Sequence, residues 1–152
     1  MINNMWFNAA LLGCLVGGIA PSSSLAAPGV VTQCTGQVPP RIVKLVYVEV
    51  TQGASGPVVT PEECVVRSGT QVVWRTAEDA LLPFELTFAQ SPGVPAGEVS
   101  GPADPKEFAS RRMGKRQEVQ IVAKNVTVAS DIRYDVRIGA VQIDPGIKIM
   151  PR

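Results

Sequence analysis

A chain of 152 residues, 45% hydrophobic and 18% charged, has the length and composition of a globular domain rather than a disordered segment. Its formal charge of +1 excludes a general electrostatic attraction to nucleic acid or to an anionic membrane. The absence of histidine excludes Ser-His-Asp and Cys-His nucleophile systems and removes the most common general base.

Residues 1–26 read as a removable export signal. An apolar run from Met5 to Ala20, broken only by Asn8, leads into the small residues of "SSSLAAPG". Ser24-Leu25-Ala26 fits the recognition site for cleavage before Ala27, although "MINNMW" carries no Lys or Arg. The run falls short of the about 20 apolar residues that a spanning helix needs. "LLGC", Leu11 to Cys14, is similar to a lipobox, but Leu15 to Ala20 continue apolar where a polar tether normally follows. Cys14 therefore reads first as part of the hydrophobic run, with a lipoprotein as the lesser alternative. The mature chain is expected to be secreted or periplasmic, with no membrane span and with a protein or cell-envelope partner.

Cleavage leaves two cysteines, Cys34 and Cys64. In an oxidising compartment such a pair is expected to form one disulfide. It would close a loop of about 30 residues, contribute about 3–4 kcal/mol, and strap the N-terminal segment onto the strand at "CVVR".

Along the mature chain, residues 27–40 read as an extended segment and 41–152 as the folded domain. "RIVKLVYVEV", Arg41 to Val50, is a strand with two largely apolar faces. "CVVRSGTQVVWRT" predicts a strand, a tight turn at Ser68-Gly69 and a returning strand. "FELTF" alternates, with Phe84, Leu86 and Phe88 inward. Ala89 to Pro105 is a proline- and glycine-rich loop that cannot supply a central strand. "DPKEFASRR" predicts one or two helical turns at most. "RQEVQIV" resumes the β pattern, and "DIRYDVRIG" places Ile132, Tyr134, Val136 and Ile138 inward with Arg133, Asp135 and Arg137 outward. After a turn at Asp144 to Gly146, "IKIM" offers a last strand. The expected architecture is an all-β, Greek-key sandwich of about seven strands.

"VTPEECVVRSGTQVVWR" resembles the second-strand region of cupredoxins, the plastocyanin-like copper proteins, through Pro61, Val65, Gly69, Val72 and Trp74. An immunoglobulin-like sandwich is the alternative. The cupredoxin resemblance continues at Pro83 to Phe88, where the family has Pro-His before an alternating strand. It implies a copper centre, yet a blue-copper site needs two imidazoles and a thiolate. Phe84 stands at the first imidazole position and Val136 at the thiolate position. Phe84 is thus expected to fill a vestigial ligand position with apolar carbon, with no metal and no cofactor. Burying such a ring contributes about 1.5–3 kcal/mol.

No catalytic residues emerge. Glu62-Glu63, Glu78-Asp79 and Asp104 fall in turn-like segments, where solvated carboxylates keep ordinary chemistry. Arg111, Arg112, Lys115 and Arg116 place four cations in "RRMGKR" and are the candidate contacts for an acidic partner. "NVT", Asn125 to Thr127, matches a glycosylation acceptor by chance-level pattern. The expected function is a non-catalytic binding or structural module without bound metal. The alternative is a Cu(I) carrier with Met113, Met150 and the cysteines as soft ligands.

Overall fold

The alternation of "DIRYDVRIG" becomes burial: Ile132, Tyr134, Val136 and Ile138 point into the core while Arg133 and Arg137 stay exposed. The computed structural model describes residues 31–97 and 104–152, so the signal segment and Cys14 lie outside the described residues. Within them the strands are β1 (Val31–Gln33), β2 (Leu45–Gln52), β3 (Pro57–Thr60), β4 (Glu63–Arg67), β5 (Gln71–Arg75), β6 (Glu85–Phe88) and β7 (Gly93–Pro95). There follow β8 (Glu107–Ala109), β9 (Arg111–Met113), β10 (Arg116–Ala123), β11 (Ser130–Ile138), β12 (Val141–Ile143) and β13 (Gly146–Met150). No helix occurs among the described residues, and none is therefore long and apolar enough to cross a membrane.

Two mixed sheets pack face to face as an all-β sandwich. The first runs β1-β2-β5-β10-β7, with β3 beside β2 and β9 beside β10. The second runs β4-β13-β11-β6-β8, with β12 beside β11. The strand count exceeds the expected seven because short pieces share the length of a long neighbour. The start of β2 pairs with β1 and its end with β3; β10 and β11 are divided in the same way.

Both faces of β2 are covered, as its composition predicts. Val46, Val48 and Val50 are buried, and on the other face the Arg75 guanidinium lies 3.6 Å above the Tyr47 ring. The strand begins four residues later than the apolar run suggests, because Val43 N–H closes a turn on Pro40 O at 3.1 Å.

The segment around Ser68-Gly69 turns tightly, with Gly69 at φ 78° and Thr70 N–H donating to Arg67 O at 3.0 Å. The strands it joins do not form the expected hairpin. β4 runs parallel to β13 in one sheet, while β5 lies between β2 and β10 in the other. The turn is a corner between sheets because its own amides are taken from both sides. Ser68 N–H donates to Met150 O at 2.9 Å, and Gly69 N–H donates to Ala123 O at 2.9 Å.

The predicted helical turn at "DPKEFASRR" is replaced by β8 and β9. An isolated helical turn is marginal in water, whereas the extended chain buries Phe108 and pairs it with Leu86. The Ala89 to Pro105 loop does hold one short strand, β7, at the edge of its sheet and paired only with β10. Gly93 is required there: at φ 152°, a Cβ would run into the Val122 carbonyl oxygen. "IKIM" supplies the last strand of the chain, as expected. As β13 it sits between β4 and β11, antiparallel to one and parallel to the other.

Cys34 and Cys64 form the expected disulfide, with Cα atoms 5.5 Å apart. Cys34 follows β1 at one edge of the first sheet, and Cys64 lies in β4 at one edge of the second. The bridge is reinforced by Val65 N–H donating to Thr35 O at 2.9 Å and Cys34 N–H donating to Tyr47 O at 2.8 Å. It closes one open side of the sandwich.

Candidate functional site

Phe84 directly precedes β6 and is 2% exposed. The β6–β11 register, which sets Glu85 against Arg137 and Leu86 against Val136, carries Phe84 to a place across from Ile138. Val136, the thiolate position that the resemblance implies, lies two residues further into the strand pair, opposite Leu86. All of these inward positions are hydrocarbon, and Val136 and Ile138 belong with Phe84 to one core cluster.

The backbone at Phe84 is held by a polar lid. Phe84 N–H donates to Ser110 Oγ at 2.9 Å, and Ser110 N–H returns to Phe84 O at 2.9 Å. Ser110 Oγ in turn donates to Gln117 Oε1 at 3.3 Å, while Gln117 N–H donates to Thr76 Oγ1 at 3.0 Å. Thr76 and Gln117 are both buried, so these bonds satisfy polar groups that would otherwise be stranded beside the core.

The basic turn stands at this same end of the sandwich, as the hairpin of β9 and β10 with Gly114 at φ 62°. Its four cations are not equivalent. Arg116 is half-buried and donates from Nη1 to Thr76 O at 2.9 Å, so it ties the hairpin to the neighbouring loop. Lys115 lies 3.7 Å from Asp79, and Asp79 N–H donates to Lys115 O at 2.9 Å. Asp79 takes the left-handed conformation, φ 65°, to make that approach. Arg112 is exposed and donates from Nε only to Gly114 O within its own hairpin, at 3.2 Å.

Arg111 lines a groove of about 370 Å³ with Pro95, Phe108, Met113 and Glu118. The groove lies along the side of the sandwich where β7 and β9 of one sheet approach β8 of the other. Phe108 forms its inner wall and leads into the aromatic core, meeting Phe88 edge-to-face at 5.7 Å. Sequence reading found the cations but not this wall, because Phe108 lies in a segment expected to be helical.

A wider concavity of about 610 Å³ covers the outer face of β6, β8 and β11, with Glu85, Glu107, Asp135 and Arg137 on its surface. Arg137 pairs with Glu85, whose hydrogen bond and charge hold the guanidinium above its ordinary pKa. Among the described residues, no three Cys, Asp or Glu side chains are grouped to hold a metal ion. Glu62, Glu63, Glu78, Asp79 and Asp104 are all exposed, consistent with solvated carboxylates. Met113 is 52% exposed at the Phe84 end, whereas Met150 lies at the opposite end, where its carbonyl receives Ser68 N–H. With Cys34 and Cys64 joined to each other, the four soft atoms are not brought together.

The chain is therefore an all-β sandwich with a disulfide and a sealed apolar end. No protein-family model matches it, and no curated protein matches it either.

Proposed function

We propose that this protein is an exported, cupredoxin-like sandwich that serves as a metal-free, non-catalytic binding or structural module. The observation that carries the reading is Phe84, a buried ring under the Ser110–Gln117 lid where the resembling family places an imidazole. The strand order supports the likeness. One segment leaves the first sheet as β3 and enters the second as β4; β2 lies parallel to β5, and β4 parallel to β13. The disulfide favours an oxidising compartment, in keeping with the signal-like residues 1–26. The contact surface is the β9–β10 hairpin, presenting Arg112 and Lys115, with the groove beside Phe108 and Arg111 as its apolar continuation. A protein or cell-envelope partner with acidic and apolar groups fits that surface.

The test is elemental analysis, thiol titration and intact mass on the protein exported by its own signal. The expected result is no stoichiometric copper, no free thiol, and a chain starting at Ala27. Copper retained at one equivalent through dialysis would overturn the metal-free reading. Two free thiols would reopen the Cu(I) carrier. A photo-reactive residue at position 112 should cross-link to a cell-envelope component, and one at position 148 should not; equal labelling from both would count against the hairpin as the contact surface.

A further inference from the structure

Four cations from three separate segments of the chain, Arg41 with Lys44, Arg67, and Arg152, line one concavity of about 400 Å³ at the end of the sandwich opposite Phe84. Its other walls are Val43, Ser68, Gly69 and Thr70, so no Asp or Glu side chain lines it. Among the described residues none of the four is in an ion pair, although Lys115, Arg137 and Lys148 elsewhere are.

Two of the cations are held in place by neutral groups. Arg67 is half-buried; its Nε donates to Pro39 O at 3.0 Å and its Nη1 to Pro151 O at 3.2 Å. Those carbonyls fix the guanidinium plane without cancelling its charge. Arg152 donates from Nε to Ser68 O at 3.3 Å, and its guanidinium occupies the space over Gly69, where a Cβ would collide with Nη2. The adjoining hollow that shares Gly69 and Arg152 holds half-buried Lys124 together with one carboxylate, Asp104, so the excess of positive charge belongs to the first hollow. Like charges gathered around one hollow repel one another, and each raises the cost of the next unless an anion enters. Oriented guanidinium N–H groups match the geometry of a tetrahedral oxyanion.

We propose that this hollow is a binding site for a phosphate group, with Arg41, Lys44 and Arg152 contacting its oxygens and the anchored Arg67 setting the field. The two most exposed large apolar residues described, Ile42 at 72% and Val128 at 73%, belong to this end as well. Ile42 lies between Arg41 and Lys44, and Val128 follows Val126, whose N–H donates to Ser68 Oγ at 3.0 Å. Phosphate could therefore arrive as a free anion or as an anionic lipid headgroup whose chains meet the two aliphatic side chains. The site is independent of the contact surface proposed above, which lies at the other end.

The test uses the mature protein and two probes: inorganic pyrophosphate by calorimetry at constant ionic strength, and sedimentation with phosphatidylcholine vesicles with and without phosphatidylglycerol. Lys44 and Arg152 are exposed, so K44Q/R152Q is expected to keep the wild-type melting temperature and to weaken binding by at least about tenfold. R112Q/K115Q removes equal charge from the other end and should leave binding unchanged. Binding of pyrophosphate identifies a free anion, and binding to the phosphatidylglycerol vesicles alone identifies a headgroup. Binding of neither probe, or equal weakening by both double variants, overturns the proposal.

Discussion

The indole Nε1 of Trp74 donates to Tyr134 Oη at 2.9 Å, joining the middle of one sheet to the middle of the other. Trp74 lies on β5 and Tyr134 on β11, each between neighbouring strands, and both side chains are buried. Phe88 stacks on Tyr134 at 4.8 Å and meets Trp74 edge-to-face at 5.8 Å. The pair thus places a polar bond at the centre of an aromatic cluster, where an unpaired indole N–H would be costly.

Tyr134→Phe is expected to lower unfolding free energy by about 1–3 kcal/mol, because it strands the indole N–H inside the sandwich. It also changes the alkaline limb. Burial pushes the Tyr134 hydroxyl well above the ordinary tyrosine value, and the Trp74 bond offsets this only in part. Above about pH 10 the unfolded chain releases this proton while the folded chain keeps it. The folded state then binds more protons, so stability falls with rising pH, by up to about 1.4 kcal/mol per pH unit from this group. Urea unfolding of both proteins from pH 8 to 11 should show the shallower decline in Tyr134→Phe; parallel profiles would contradict the assignment.

The Cys34–Cys64 bridge closes one side of the sandwich over a sequence separation of 30. Replacing both residues with Ser should cost about 3–4 kcal/mol, and adding reductant to the wild type should reproduce the loss. A denaturation midpoint that does not move would show that β1 is held without the bridge.

Phe84→Ala should cost about 3–5 kcal/mol, since it empties a filled site in the core. Phe84→Leu should cost clearly less. Thermal melting separates this from a surface role: an exposed contact residue could be truncated with almost no change in melting temperature.

Much of the fold was legible in local pattern. Inward and outward faces of β6, β10 and β11 follow alternation alone, because a pleated strand places successive side chains on opposite sides. The disulfide needed only two cysteines and an oxidising context. Pattern failed where a segment's partner decided its state. "EFASRR" has no strong strand signature, yet Phe108 is drawn under Leu86. Ser68-Gly69 has the chemistry of a hairpin turn, yet its amides are claimed by Met150 and Ala123 from different sheets.

The candidate sites divide in the same way. "RRMGKR" is contiguous and therefore visible, but only the folded chain separates Arg116, spent on Thr76 O, from exposed Arg112. Arg41 and Lys44, Arg67, and Arg152 carry no joint signal in sequence because they come from three separate segments of the chain.

From its residues alone, this protein was committed to strands, to a disulfide and to the absence of imidazole, since those depend on composition and two-residue periodicity. Which sheet each strand joined, and which distant cations came to share one hollow, depended on backbone hydrogen bonds between segments far apart in the chain. Local chemistry sets the face a side chain presents; long-range pairing decides what that face meets.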